Sequence, residues 1–226
     1  MNEDRFYCEH CKKDFSSENT LLIHACEKKN RFLNKDELHV RIGFGAYRRF
    51  YEMQYPGKKP PDYKAFMNSK FYIAFVKFGK YVINTHVINR DQFIDFLIKN
   101  IKIDDWTKPS VYELFVRETL KKESPDNALE RNILLMESWS TETGEAWYDF
   151  FRKIDPSLAV LWIKTGRISP WIIYSAKSAN DMFDRMNDEQ LGLVQELLDP
   201  ALWKAKMKLA KSDVVFLKKT LAEFNL

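Results

Sequence analysis

The sequence predicts a mainly α protein in which a small ββα-type module precedes a two-lobed, all-helical body. Three observations predict it. Only 7 glycines and 8 prolines occur in 226 residues, too few turn residues for sandwiches, barrels or glycine-rich nucleotide folds. Four of those prolines stand one residue after a capping side chain, at Ser124-Pro125, Asp155-Pro156, Ser169-Pro170 and Asp199-Pro200, which is how many helices start. Beyond residue 30 no run of alternating apolar and polar residues reads as a strand. The composition is 45% hydrophobic, 30% charged and 15% aromatic, that of a folded chain with ample core. No apolar run approaches the ~18–20 residues that span a bilayer. The first 30 residues also lack a signal-peptide stretch, so an intracellular, cytoplasmic protein is expected. The expected domains are residues 1–30, 31–123 and 124–226.

In the first module, Cys8, Cys11, Phe15, Leu21 and His24 follow the spacing C-x2-C-x3-F-x5-L-x2-H. Two thiolates on a hairpin and a histidine returned by a helix supply three ligands of a tetrahedral zinc site. Phe15 and Leu21 would cover the metal in a module too short for any other core. The segment resembles a C2H2 zinc finger and departs from that family at its end. The second histidine of the family, three to five residues on, falls at Lys28 to Asn30, none of which is such a ligand. The fourth ligand is Cys26 or His39, or the segment binds no metal, with Cys26 the first choice. Positions i and i+2 do not share a helix face, so that choice requires the helix to end or tighten at His24. His10 reads as a solvated hairpin residue. All three cysteines fall in this module, which leaves no disulfide framework and no thiol nucleophile elsewhere. The base-reading positions of the finger family fall on Ser17, Thr20 and Ile23, with Asn19 adjacent. These lack the long bidentate side chains of direct readout. A structural clip, a phosphate contact or a protein-docking knob is expected instead.

In the body, Asn34-Lys35-Asp36-Glu37 reads as a capping-box start. Val40, Phe44, Tyr47 and Tyr51 then recur at i, i+4, i+7 and i+11, an apolar helical stripe. Arg41, Gly45, Arg48 and Arg49 lie toward another face. Gly43 and Gly45 each cost about 1 kcal/mol relative to alanine in a helix interior, and imply close approach of another backbone, a kink or a ligand. Residues 28–59 carry 9 basic and 3 acidic groups in a chain of net charge +4. That excess suits either a solvated face or a phosphate-binding surface. Residues 55–61 hold three prolines and two lysines and read as an extended linker, after which Asp62 caps the next helix. There Phe66, Phe71, Tyr72, Phe75, Phe78 and Tyr81 alternate with Lys64, Lys70, Lys77 and Lys80. Phe71, Phe75, Phe78 and Val82 stand at helical spacing and are expected in the core, with base stacking on an exposed ring the alternative.

Residues 124–152 carry 2 basic and 6 acidic groups and are expected to divide the body, with Trp139 to Gly144 a helix break or loop. Gly166 should end one helix and Ser169 cap the next. This has the geometry of a helix-turn-helix, but Trp171, Ile172, Ile173 and Tyr174 are too apolar for an exposed recognition helix. Asn187 to Gln190 and Ser212 supply further starts. There is no G-x-x-x-x-G-K-[ST] and no G-x-S-x-G. Gly43-Phe44-Gly45 lacks a third glycine and a preceding strand, His86 falls in a turn, and Asp104 and Asp105 face different ways. No enzyme activity, small-molecule substrate or membrane partner is expected.

The helical body resembles the helicase-loading (helicase assembly) proteins of T-even-type phages. The likeness runs through Ser69-Lys70-Phe71-Tyr72, the region from Asp91 to Glu123, and Ile163 to Pro170. It is one of order, spacing and apolar pattern over residues 40–205, with few identities, and residues 1–30 fall outside it. The resemblance implies a two-lobed helical fold, binding to forked and single-stranded DNA, contact with the single-strand binding protein and recruitment of the hexameric replicative helicase. No catalytic motif comes with it.

The combined expectation is a non-catalytic DNA-binding adaptor, a phage replication accessory that takes zinc on Cys8, Cys11, His24 and Cys26. Arg41, Arg48, Arg49, Lys58, Lys59, Lys70 and Lys77 would track phosphates with low sequence specificity. A phage transcription regulator or RNA polymerase-binding protein is one alternative, and a virion structural or assembly protein another.

Overall fold

In a computed structural model the described residues, 5–226 of the chain, form fifteen α-helices, three short 3-10 helices and one two-stranded sheet. The first four residues of the expected 1–30 module lie outside them. The mainly α expectation holds. The chain divides into two compact units, one ending at Thr107 and the other spanning Lys108–Leu226. Among the described residues no helix is long and apolar enough to cross a membrane.

The first unit opens with β1 (Phe6–Tyr7) paired antiparallel to β2 (Asp14–Phe15), Phe6 opposite Phe15. Two short helices follow, α1 (Glu18–Leu22) and α2 (Glu27–Leu33). The capping box expected at Asn34 does not form. Asn34 closes α2, its N–H bonded back to the Asn30 and Phe32 carbonyls, and Asn34–Asp36 make a 3-10 turn. With Asn34 used in this way, α3 (Leu38–Gln54) starts without a side-chain cap. Asp62 caps α4 (Tyr63–Met67) as expected, accepting from the Ala65 N–H at 2.8 Å. Next come α5 (Tyr72–Thr85) and α6 (Arg90–Asn100).

At Gly43 and Gly79 the backbones of helices α3 and α5 approach with no side chain between them. A Cβ on Gly43 would stand 2.5 Å from the Phe75 carbonyl oxygen, and one on Gly79 would stand 2.0 Å from that of His39. Close backbone approach therefore explains Gly43. It does not explain Gly45, around whose missing Cβ nothing lies within 4 Å. The core beside this crossing is aromatic: Phe66, Phe75, Phe78, Phe93 and Trp106 are buried. Of the four residues at helical spacing, Phe75, Phe78 and Val82 are buried as expected and Phe71 is half-buried. The Trp106 ring lies 5.3 Å from both Phe75 and Phe78, and its N–H donates to the Ile101 carbonyl at 3.2 Å. Burying each such side chain is worth about 1.5–3 kcal/mol.

The second unit contains α7 (Pro109–Lys122), α8 (Pro125–Thr143), α9 (Phe150–Lys153), α10 (Pro156–Lys164), α11 (Pro170–Ile173), α12 (Ala179–Phe183), α13 (Asp188–Gln195), α14 (Pro200–Leu209) and α15 (Lys211–Glu223). All four serine-proline and aspartate-proline starts are capped by the side chain before the proline. Asn187 and Gln190 form a capping box, whereas Ser212 caps nothing because α15 begins at Lys211.

Two expectations are corrected here. Trp139 to Thr143 is not a break: α8 runs to Thr143 and ends at Gly144, whose φ is +75°. Burial of Trp139 holds this turn helical, and the Thr141 and Thr143 hydroxyls bond back to the carbonyls of Glu137 and Trp139. Nor does the chain divide at residue 123. The Tyr112 hydroxyl donates to the Thr165 carbonyl at 3.0 Å, and the Trp171 indole N–H to the Glu123 carbonyl at 3.0 Å. The Glu123 carboxylate accepts from the Arg131 guanidinium at 2.6 Å and from the Ser169 hydroxyl at 2.7 Å. These bonds tie α7 and the acidic α8 into one unit around Trp139, Phe150, Phe151, Trp162 and Trp171.

Candidate metal centre and basic surface

Cys8 follows β1 directly. Its N–H donates to the Lys13 carbonyl, and its carbonyl accepts the Lys12 N–H, both at 2.9 Å. Lys12 adopts a left-handed φ of 62°. The tight turn carries Cys8 and Cys11 together. Ser17 starts α1 by accepting the Thr20 N–H, and α1 stops at Leu22, before His24. Cys26 is extended and serves as the N-cap of α2, its sulfur accepting the Lys29 N–H at 3.4 Å. The helix therefore ends where the His24–Cys26 spacing requires, and a second helix begins on the fourth ligand.

The ligand atoms of Cys8, Cys11, His24 and Cys26 all lie within 4.8 Å of one another. The sulfurs of Cys8 and Cys26 are 3.6 Å apart, and Cys11 Sγ is 3.3 Å from His24 Nε2. Zinc at about 2.3 Å from sulfur and about 2.0–2.1 Å from nitrogen spans tetrahedral edges of roughly 3.5–3.8 Å, so the group fits. Three thiolates and one imidazole also form the soft donor set zinc prefers. Cys8 and Cys26 are buried, and the Phe15 ring lies 4.8 Å from that of His24. The Cys11 backbone N–H holds the Cys8 thiol down, to about 7, against the opposing effect of burial. Burial pushes the Cys26 thiol up, and the Lys29 N–H partly offsets it. Neither remaining histidine of the region joins the group: His10 stacks near Phe32 at 5.6 Å, and His39 Nδ1 lies 3.3 Å from Glu37.

These residues form a zinc finger with three cysteines and one histidine. Residues 5–24 match a family model described as zinc-finger double-stranded RNA-binding. No curated protein and no solved structure matches the chain. The match stops short of Cys26, which the structure adds. At the base-reading positions, Ser17 and Thr20 are bonded to each other at 2.5 Å, and Ile23 is 74% exposed beside Leu22 at 76%.

The basic candidates differ in how committed they are. Arg49 makes a two-point contact to Asp95 of α6, at 2.8 and 3.0 Å. This bond raises the arginine's pKa and lowers the carboxyl's. Arg48 lies 3.9 Å from Glu52 and 6.0 Å over Phe44. Arg41 is exposed, with no ion pair among the described residues. Lys58 sits 5.0 Å over Tyr55 and Lys70 sits 5.1 Å over Phe71, while Lys59 and Lys77 are exposed. Arg90, at the start of α6, lines the same groove as Arg41 and Arg49. Sequence reasoning passed over it because only the packing of α6 on α3 brings it there.

Proposed function

We propose that the protein is a zinc-dependent nucleic-acid-binding adaptor that works by contact rather than catalysis. The assembled finger, together with its match to a double-stranded RNA-binding finger model, carries this reading. The exposed cations of α3, the following linker and α5 support it, because phosphate contacts from lysine and arginine supply most non-specific affinity. The finer reading is a phage replication accessory that binds forked or single-stranded DNA and helps recruit the replicative helicase together with the single-strand binding protein. It rests on the resemblance of the helical body to helicase-loading proteins, and the two helical units are compatible with it.

The test is fluorescence anisotropy of the zinc-loaded full chain against forked DNA, single-stranded DNA, duplex DNA and duplex RNA of matched length. Binding whose logarithm falls linearly with log salt supports the adaptor reading. A preference for forks or single strands, with co-binding of a helicase, supports the finer one. A preference for duplex RNA replaces the finer reading with an RNA-binding role, and absence of binding to every probe at low salt overturns both.

A further inference from the structure

We propose that the groove between α3 and α6 seats one phosphodiester of a nucleic-acid strand, with Gly45 as its open floor and Arg41 and Arg90 as its cationic walls. The proposal rests on the nucleic-acid reading above and adds a place and a residue to it.

Three observations carry it. The groove encloses about 550 Å³, within the range of roughly 300–1,000 Å³ that holds small ligands, so it suits a nucleotide unit. Its ionic lining is three guanidinium groups, Arg41, Arg49 and Arg90, against two carboxylates, Asp91 and Asp95. That leaves one net positive charge, the complement of one phosphodiester. Arg49 is held by Asp95 and Arg90 approaches Asp91 at 3.3 Å, which leaves Arg41 the least committed. Guanidinium groups match phosphate oxygens in shape as well as charge.

The third observation is Gly45. Arg41, Gly45 and Arg49 stand at i, i+4 and i+8, on one face of α3. A glycine in mid-helix is a poor helix former, and Gly43 has a packing reason for it. Gly45 has none, since nothing lies within 4 Å of where its Cβ would be. What its absent side chain provides is room in the groove and access to the helix backbone, which a strand backbone needs and the fold does not.

The experiment uses the zinc-loaded full chain with a fluorescein-labelled 12-nucleotide single strand, with adenosine monophosphate and inorganic phosphate as separate probes. Leucine is a good helix former, so Gly45→Leu should melt at or above the wild-type temperature while binding the strand about fivefold or more weakly. The double variant Arg41→Ala, Arg90→Ala should weaken binding and flatten the salt dependence by about one to two phosphate contacts. Gly45→Ala should raise the melting temperature, a second readout if the leucine variant folds poorly. Unchanged strand affinity in both the Gly45→Leu and the double-arginine variants, with wild-type binding intact, overturns the groove and leaves the adaptor reading standing. No strand binding by the wild type overturns the groove, and the adaptor reading falls with it only if duplex DNA and duplex RNA also go unbound. Binding of the free nucleotide, but not the strand, in a Gly45-sensitive manner overturns the assignment to a strand.

Discussion

Arg31 donates a 2.8 Å hydrogen bond from its guanidinium to the carbonyl oxygen of Met67. Its own carbonyl accepts the Tyr63 hydroxyl at 2.5 Å, and its guanidinium carbon lies 4.4 Å from the centre of the Tyr72 ring. Because α2 begins on the zinc ligand Cys26 and carries Arg31, the finger is joined to the helices behind it by the same short helix that completes the metal site.

Replacing Arg31 with alanine should lower the stability of the first unit by about 1.5–3 kcal/mol, the range for a hydrogen bond to a charged group. Urea denaturation followed by circular dichroism measures it. In the wild type, chelation should remove hydrogen-exchange protection from the finger and from α4, beyond residue 30, while α8 of the second unit keeps its protection. Protection lost throughout both units would show that the metal supports far more than this joint.

Purified without chelators, the protein should carry about one zinc per chain, because thiolate-zinc binding supplies the folding energy of so small a module. Cys26→Ala should retain less than about half an equivalent by elemental analysis, whereas His10→Ala should retain the wild-type content. Equal zinc in both variants would remove Cys26 from the site.

The two glycines at the α3–α5 crossing should be intolerant of any side chain. Gly43→Ala and Gly79→Ala each place a Cβ within 3.0 Å of a backbone oxygen, so both helices must shift. Each should destabilise the unit by about 1–3 kcal/mol or more. Thermal melts of the two variants beside the wild type check this, and unchanged melting temperatures would mean that the helices separate at no cost.

The Arg49–Asp95 contact gives a pH dependence of defined sign. Arg49 holds the Asp95 carboxyl below its ordinary range. The contact's contribution is therefore present above the unfolded value, near pH 4, and is lost as pH falls through the lower folded value. Both groups are partly exposed, so the gain at neutral pH is of order 1 kcal/mol or less. Asp95→Asn should lower stability at pH 7 and lessen its decline between about pH 5 and pH 2. A variant with the wild-type slope would show that other carboxylates govern acid unfolding.

What could be read from the chain follows the range of the interactions. The proline starts are settled between neighbours, Asp155 with Pro156 and Asp199 with Pro200, and they appear where the sequence places them. The first three zinc ligands are equally local. Cys26 was reachable through the helix break it demands, although not its second role as the cap of α2. The end of α8 was misread because serine and threonine after Trp139 suggest a loop, while the burial that overrides them depends on distant partners. The unit boundary was misplaced for a similar reason: Tyr112 meets Thr165 only after folding. Arg49 reads as a free cation until α6 brings Asp95 against it.

The crossing of α3 and α5 has a mechanical consequence. Two helices separated by side chains can creep past each other as rotamers change, but here Gly43 and Gly79 bring backbone against backbone. A slide of one turn would press Phe75 or Ile83, which share the Gly79 face of α5, against the His39 carbonyl. The joint acts as a detent with one seat, and α3 is indexed against α5 along its length. A load applied at the α3 surface is then borne by the helix pair as a rigid strut.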